Sequence, residues 1–181
     1  MQLSIDRKNE IFNLVSRNIS EKKWTPEKDW VHYAGPYFDE KEYVSAIECI
    51  LGGWLVLGER GIEFERKFKK WFDKDYGVLT NSGSSANLLM ISALKSKRLY
   101  DFKEGTKIIT PVAGFPTTLN PILQNGYIPV FVDIELDTLN LNVDQLEDAA
   151  KSGAKAITFA HVLGNPPNMD RVMEIVRDYN L

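Results

Sequence analysis

The chain has 181 residues, 44% of them hydrophobic, and a formal net charge of −3 at pH 7. This length and apolar content are enough for one ordinary globular domain with a sizeable core. Acidic and basic residues are mixed and no apolar run could cross a bilayer, so a nucleic-acid or membrane partner is not expected. The single cysteine, Cys49, excludes an internal disulfide, and it favours a reducing compartment such as the cytoplasm. Its side chain is expected to be buried as a small apolar residue.

The N-terminal part of the chain predicts helices separated by an irregular arm. Apolar residues at helical spacing predict a helix over 5–19. Proline, glycine and aromatic residues then predict an irregular segment over 23–38. Asp39, with Glu42 three residues later, forms a capping-box pattern that begins a second helix, and the glycines at 52–53 end it.

A short apolar segment and a third helix follow. The segment 54–59 lies between glycines and is too short for a helix, so it is expected to be a loop or a short strand. The next helix carries one apolar stripe that is expected to be buried. Its members are Ile62, Phe64, Phe68, Trp71 and Phe72.

From residue 76 onward, short apolar strands alternate with helices. The predicted strands cover 76–80, 107–110, 128–134 and 156–162. One predicted helix follows the first strand and ends near residue 96, and the others cover 116–124, 143–152 and 170–179. This alternation predicts a parallel sheet with right-handed crossovers. Ligands of such sheets lie beyond the carboxyl ends of the strands.

The stretch Thr80–Leu89 predicts the end of a strand, a tight turn and the start of a helix. Gly83 permits a sharp turn, and Ser84 or Ser85 can cap the helix. The free amides of the first turn and the helix dipole would attract a phosphate or another anion. A serine-capped connection with no ligand fits the same residues, and this stretch alone does not decide between the two.

Two other predicted strand ends carry side chains that suit a ligand. Phe115 could stack on a flat cofactor ring, or it could simply pack at the start of a helix. His161 and Asn165 could hydrogen-bond polar ligand atoms, although a histidine that ends a buried strand is more often structural. No catalytic triad, paired carboxylates or metal-ligand spacing is visible in the sequence.

Four separated stretches resemble the DegT/DnrJ/EryC1/StrS family, the vitamin-B6-dependent sugar-nucleotide aminotransferases and dehydrases. The similarity is greatest to the CDP-4-keto-6-deoxyglucose 3-dehydrase branch, in which Gly-Phe-Pro-Thr-Thr and Leu-Gly-Asn-Pro recur. It extends in order from about residue 33 to residue 181. The stretches are Trp54-Leu55-Val56-Leu57-Gly58, Asn81-Ser82-Gly83-Ser84-Ser85-Ala86-Asn87-Leu88-Leu89, Ala113-Gly114-Phe115-Pro116-Thr117-Thr118-Leu119-Asn120-Pro121 and His161-Val162-Leu163-Gly164-Asn165-Pro166.

The resemblance implies an α/β fold, the three-layer, mostly parallel sheet of the large domain of the aspartate aminotransferase type, here incomplete. Residues 1–38 would form an N-terminal helix and arm, and residues 39–181 the first part of the cofactor-binding domain. The cofactor would be pyridoxal 5'-phosphate or pyridoxamine 5'-phosphate. The implied positions are Gly83, Ser84 and Ser85 at its phosphate, Phe115 on its ring, Asn165 beside it, and Trp54, Leu55 and Val56 at the sugar-nucleotide site.

The activity that the resemblance implies is 3-dehydration of a nucleotide-linked 4-keto-6-deoxyhexose, in the synthesis of deoxysugars for lipopolysaccharide O-antigen. In the family, the aspartate at the cofactor nitrogen, the catalytic lysine or histidine and any iron–sulfur cysteines would fall after residue 181, so this chain alone is not expected to turn over. A homodimer in the cytoplasm is expected, and the whole enzyme could need a reductase partner. Two alternatives stay open: a sugar aminotransferase, and a non-catalytic fragment that needs a partner chain.

Overall fold

The computed structural model describes residues 3–19, 24–32 and 34–181. The chain divides into two compact units, Met1–Val78 and Leu79–Leu181. In the described part of the chain, no helix is both long and apolar enough to cross a membrane.

The first unit contains three helices, α1 (Ile5–Asn18), α2 (Glu40–Gly52) and α3 (Glu59–Trp71). The predicted capping box at the start of α2 is confirmed: the Asp39 carboxylate accepts a bond from the Lys41 amide at 2.8 Å, and the Glu42 carboxylate accepts one from the Asp39 amide at 2.8 Å. Helix α2 ends at Gly53, whose φ of 73° lies in the left-handed region that glycine adopts freely. These helix ends are set by local sequence.

One carboxylate of α2 joins the three helices. Glu48 accepts from Lys8 of α1 at 2.6 Å and from Arg60 of α3 at 2.5 Å. The hydrogen bond from the Lys8 ammonium holds the pKa of Glu48 below its usual value. An open groove of about 450 Å³ lies beside it, lined by Phe12, Lys41, Glu42, Val44, Ser45, Glu48 and Arg60.

The apolar stripe of α3 is exposed, and the prediction that it is buried is wrong. Its five members, Ile62, Phe64, Phe68, Trp71 and Phe72, are 46% to 86% exposed. Cys49 is exposed as well, contrary to expectation. Helical spacing shows which face of a helix is apolar, but burial needs a partner, and no described helix or strand packs closely against α3.

The second unit is built on a three-stranded sheet that is parallel, as the alternating pattern predicts, and whose strand order is β2-β1-β3. Its strands are β1 (Lys107–Pro111), β2 (Ile128–Val132) and β3 (Ala156–Ile157). Ile109 of β1 lies opposite Val130 of β2 and Ile157 of β3. The predicted strand 156–162 is therefore shortened, since the chain leaves the sheet after Ile157 and forms a 3-10 turn at Val162–Gly164.

Helices cover both faces of this sheet and make three layers. The helices are α4 (Gly83–Ala93), α5 (Pro116–Gln124), α6 (Val143–Lys151) and α7 (Met169–Tyr179). Ile108 packs into a cluster with Ile91 of α4 and Ile122 of α5, whereas its neighbour Ile109 packs into a cluster with residues of α6 and α7. Successive strand residues point to opposite faces, so two adjacent isoleucines serve two separate cores.

The predicted first strand, Tyr76–Thr80, is not a strand in the structure. A parallel strand exists only where a neighbour supplies hydrogen-bond partners, and neither β2 nor β3 pairs with this segment.

Candidate functional site

Helix α4 begins two residues earlier than a Ser84 cap would place it, because Ser82 is its cap. The Ser82 hydroxyl accepts a bond from the Ser85 amide at 3.2 Å, so the prediction that Ser84 or Ser85 caps the helix is wrong. Gly83 is the first helical residue and has no positive φ, so it is not needed for a tight turn. A Cβ at Gly83 would meet no atom within 4 Å, which leaves open space in front of this helix end.

The first turn of α4 presents hydrogen-bond donors. The first amides of a helix have no acceptor carbonyl four residues earlier within the helix. The Ser82 hydroxyl accepts a bond from only one of them, the Ser85 amide. No acceptor among the residues that the structure describes bonds the amides of Gly83 and Ser84, which lie next to the exposed Ser84 side chain. Together with the positive end of the helix dipole, these donors suit an anion.

Phe115 lies at the cap position of α5, in the loop that leaves the carboxyl end of β1. Pro116 occupies the first helical position, where its missing N–H costs no hydrogen bond. The Thr118 amide donates to the Phe115 carbonyl at 2.9 Å and closes the first turn. The Phe115 side chain is 67% exposed, so it does not serve as a core residue of this unit.

Helices α4 and α5 run side by side in the same direction. Near their starts, the Asn87 amide donates to the Thr117 carbonyl at 3.2 Å. Near their ends, the Asn125 amide donates to the Ser92 hydroxyl at 3.1 Å. Both positive helix ends therefore lie at the carboxyl edge of β1, and this arrangement brings Gly83, Ser84 and Ser85 to the same end of the unit as Phe115.

Asn165 follows the 3-10 turn on the carboxyl side of β3, which is parallel to β1 and so ends at the same sheet edge. Its side-chain amide donates to the Thr138 carbonyl at 3.3 Å, and its backbone carbonyl accepts from Asn140 at 2.6 Å. His161 lies in the same loop, exposed, with its ring edge-on to Phe159 at 5.6 Å between centroids.

Asn140 is a site-organising residue that the sequence reasoning missed. Its side chain is 1% exposed and donates to the carbonyls of Thr138 at 2.9 Å and Asn165 at 2.6 Å. Its carbonyl oxygen accepts from the Val162 amide at 3.2 Å. A buried amide must be hydrogen-bonded, and the position of Asn140 between two leucines, Leu139 and Leu141, is the signal that could have drawn attention to it.

The three predicted sugar-nucleotide residues lie in the first unit, in the loop between α2 and α3, and not in a strand. Trp54, Leu55 and Val56 are all largely exposed. The Trp54 indole donates to the Leu57 carbonyl at 3.2 Å and lies against Gly58, where a Cβ would come within 3.2 Å of the ring. Gly58 thus permits the close approach of the indole.

Residues 36–181 match the DegT/DnrJ/EryC1/StrS aminotransferase family. The lipopolysaccharide biosynthesis protein RfbH of Salmonella typhimurium is 41% identical over 165 residues, which are 90% of this chain and 38% of RfbH. The structure resembles Escherichia coli GDP-4-keto-6-deoxy-D-mannose-3-dehydratase with bound hydrated PLP, with a TM-score of 0.74, 36% identity, and coverage of 80% of this chain and 37% of that one.

A sugar aminotransferase, Spr1654 of Streptococcus pneumoniae in its PLP form, is also similar, with a TM-score of 0.71, 25% identity, and coverage of 82% of this chain and 36% of that one. The chain thus spans well under half the length of these relatives. The predicted fold class is confirmed: the unit with the parallel sheet is an incomplete part of the PLP-dependent aminotransferase fold. The family match covers most of the sequence, so this chain belongs to the DegT/DnrJ/EryC1/StrS aminotransferase family.

Proposed function

We propose that this chain is the N-terminal part of a pyridoxal- or pyridoxamine-phosphate-dependent 3-dehydratase. Its substrate would be a nucleotide-linked 4-keto-6-deoxyhexose in the synthesis of deoxysugars for lipopolysaccharide. The observation that carries the cofactor-binding role is the shared orientation of α4 and α5, which puts free helix amides and the Phe115 ring at one end of the unit. A dehydratase is favoured over an aminotransferase because the sequence identity is 36% to the E. coli dehydratase and 25% to the aminotransferase Spr1654.

The donor set at this end of the unit fits the phosphate of the cofactor. A phosphate dianion needs several donors and positive potential, and the amides of Gly83 and Ser84, the Ser84 hydroxyl and the N-terminus of α4 supply them. Ser85 is a further hydroxyl in the same turn, and the missing Cβ of Gly83 lets a ligand approach the backbone closely.

Each of the other proposed residues has a role in holding or orienting a ligand. Phe115 would stack on the pyridine ring, and Asn165 would lie beside the cofactor on the neighbouring loop. Trp54, Leu55 and Val56 would line the sugar-nucleotide site. When bound, the cofactor's pyridine ring supplies an electron sink for bond cleavage next to its amine. No proton transfer is assigned to a residue of this chain.

The whole enzyme would be a homodimer in the cytoplasm, and the single cysteine of this chain supports a reducing compartment. An iron–sulfur cluster in the whole enzyme and a separate reductase partner stay predictions from the family resemblance, and no ligands of the cluster are predicted within this chain.

Binding of pyridoxamine 5'-phosphate to the 181-residue chain tests the cofactor role. This probe has no aldehyde, so it cannot condense with surface lysines, and its own fluorescence anisotropy reports binding. We expect saturable binding that inorganic phosphate competes away. Ser84→Ala removes a charge-assisted hydrogen bond and should weaken binding about tenfold or more. Phe115→Ala removes a stacking contact of about 1 kcal/mol and should weaken binding about fivefold.

Two matched variants control for general damage. Ser92→Ala removes a serine hydroxyl from the last turn of the same helix, and Tyr100→Ala removes an aromatic ring that is 66% exposed in the same unit. Both should bind the probe like the wild-type chain. Failure of the wild-type chain to bind the probe, or equal weakening by the controls, would refute the cofactor role.

A further inference from the structure

The helix pair at the proposed cofactor site contains a proline that removes one of its hydrogen bonds. Pro121 lies inside α5, where the residue four positions earlier is Thr117. In a regular helix the amide of residue 121 would donate to the carbonyl of residue 117, but proline has no N–H and its ring also crowds that carbonyl. The Thr117 carbonyl therefore lacks the donor that it would have in a regular α-helix.

Asn87 of the neighbouring helix supplies the missing donor. Its side-chain amide reaches the Thr117 carbonyl at 3.2 Å across the α4–α5 contact, in a partly buried position. Asn87 is four residues after Gly83 and three after Ser84, so it lies on the same face of α4, about 6 Å further along the axis from Gly83. On α5, Thr117 is only two residues after Phe115, within the first turn.

We propose that Asn87 is a positioning residue that sets the distance between the phosphate-binding amides of α4 and the ring of Phe115. This inference rests on the proposed function. Two bonds connect the helices to the ring. The Asn87 side chain of α4 donates to the Thr117 carbonyl, and in the first turn of α5 the Thr118 amide donates to the Phe115 carbonyl.

The other bond between the same helices provides an internal comparison. The bond between Asn125 and Ser92 joins α5 to α4 at the end remote from the proposed site. Both bonds link α4 to α5 through one asparagine amide, and only the Asn87 bond lies next to the proposed ligand contacts. A merely structural role for Asn87 would give the two bonds similar effects on ligand binding.

The test measures binding of pyridoxamine 5'-phosphate and of inorganic phosphate to the folded 181-residue chain. Asn87→Leu keeps a side chain of similar shape and removes the donor. We expect the affinity for pyridoxamine 5'-phosphate to fall about fivefold, the effect of one hydrogen bond, while the competition constant of inorganic phosphate stays unchanged. The phosphate alone contacts α4, whereas the whole probe must also reach Phe115.

A double-mutant cycle with Phe115→Ala makes the test specific. If Asn87 acts through the ring, Asn87→Leu should have no further effect once the ring is gone, so the double variant should also bind about fivefold more weakly. Multiplicative weakening of about twenty-five-fold would overturn the inference, because Asn87 would then act independently of Phe115.

Other outcomes are equally decisive. An unchanged affinity in Asn87→Leu would overturn the positioning role and leave the proposed function standing. The same loss in Ser92→Ala would overturn the positioning role and count against the cofactor role as well. No binding by the wild-type chain would overturn the proposed function and this inference with it. If circular dichroism shows that Asn87→Leu does not fold, Asn87→Gln replaces it in the test. This variant keeps the amide donor but displaces it by one methylene, so it should weaken binding of the probe and leave binding of inorganic phosphate unchanged.

Discussion

Substitution of Asn140 tests whether one buried amide holds together the loops at the carboxyl edge of the sheet. Asn140→Ala removes three side-chain hydrogen bonds, to the carbonyls of Thr138 and Asn165 and from the Val162 amide. At about 1 kcal/mol for each bond, the expected loss of unfolding free energy is about 3 kcal/mol. The carbonyl of Asn165 and the amide of Val162 would be left without this partner, so amide exchange over 161–165 should accelerate most.

The assay combines urea unfolding, followed by far-UV circular dichroism, with hydrogen–deuterium exchange resolved by segment. Tryptophan fluorescence does not serve here, because all four tryptophans lie between residues 24 and 71, in the first unit. Asn142→Ala is the matched control: it removes a nearby asparagine that caps α6 through a single bond to the Asp144 amide, and should cost about 1 kcal/mol. A loss in Asn140→Ala no larger than in Asn142→Ala would refute the reasoning.

Two further predictions concern ionisable side chains. The pKa of Glu48 is lowered by its bond from Lys8, so its contribution to stability is present above its ordinary pKa of 4.5 and is lost as the pH falls through the lower folded value. Glu48→Gln should flatten the acid dependence of tryptophan-monitored unfolding below pH 4.5, and an unchanged pH profile would contradict this. The Tyr127 hydroxyl is buried and has no hydrogen-bond partner among the described residues, and burial raises its pKa. Tyr127→Phe should therefore raise the unfolding free energy by up to about 1 kcal/mol in urea unfolding, whereas a loss would show that the hydroxyl has a partner.

The features that local sequence determines could be predicted closely. The capping box of Asp39 and Glu42 and the glycines after it fix the ends of α2 without help from the rest of the chain. The β1 strand can be predicted as closely, since Ile108 and Ile109 are β-branched and lie in a short segment between Lys107 and Thr110. The order β2-β1-β3 is decided by pairing, and periodicity indicates only that the sheet is parallel.

Features that depend on distant partners could not be predicted. Residues 76–80 have the composition of a strand, yet a strand needs a neighbour, and the described sheet offers none. The stripe of α3 has the spacing of a buried face but no described element covers it. The role of Asn140 depends on Asn165, which lies 25 residues further along the chain. Near Ser82, three serines within four residues could each cap a helix, and only the structure shows which one does.

The candidate site illustrates why a local conflict in a sequence is informative. Pro121 interrupts an otherwise regular helical pattern over 116–124, and taken alone it argues against that helix. The helix nevertheless forms, and a side chain from another helix donates to the carbonyl that has lost its regular donor. The proline leaves the Thr117 carbonyl free of its regular helical donor, and the bond from Asn87 to that carbonyl joins the first turn of α5 to α4 next to the proposed cofactor phosphate.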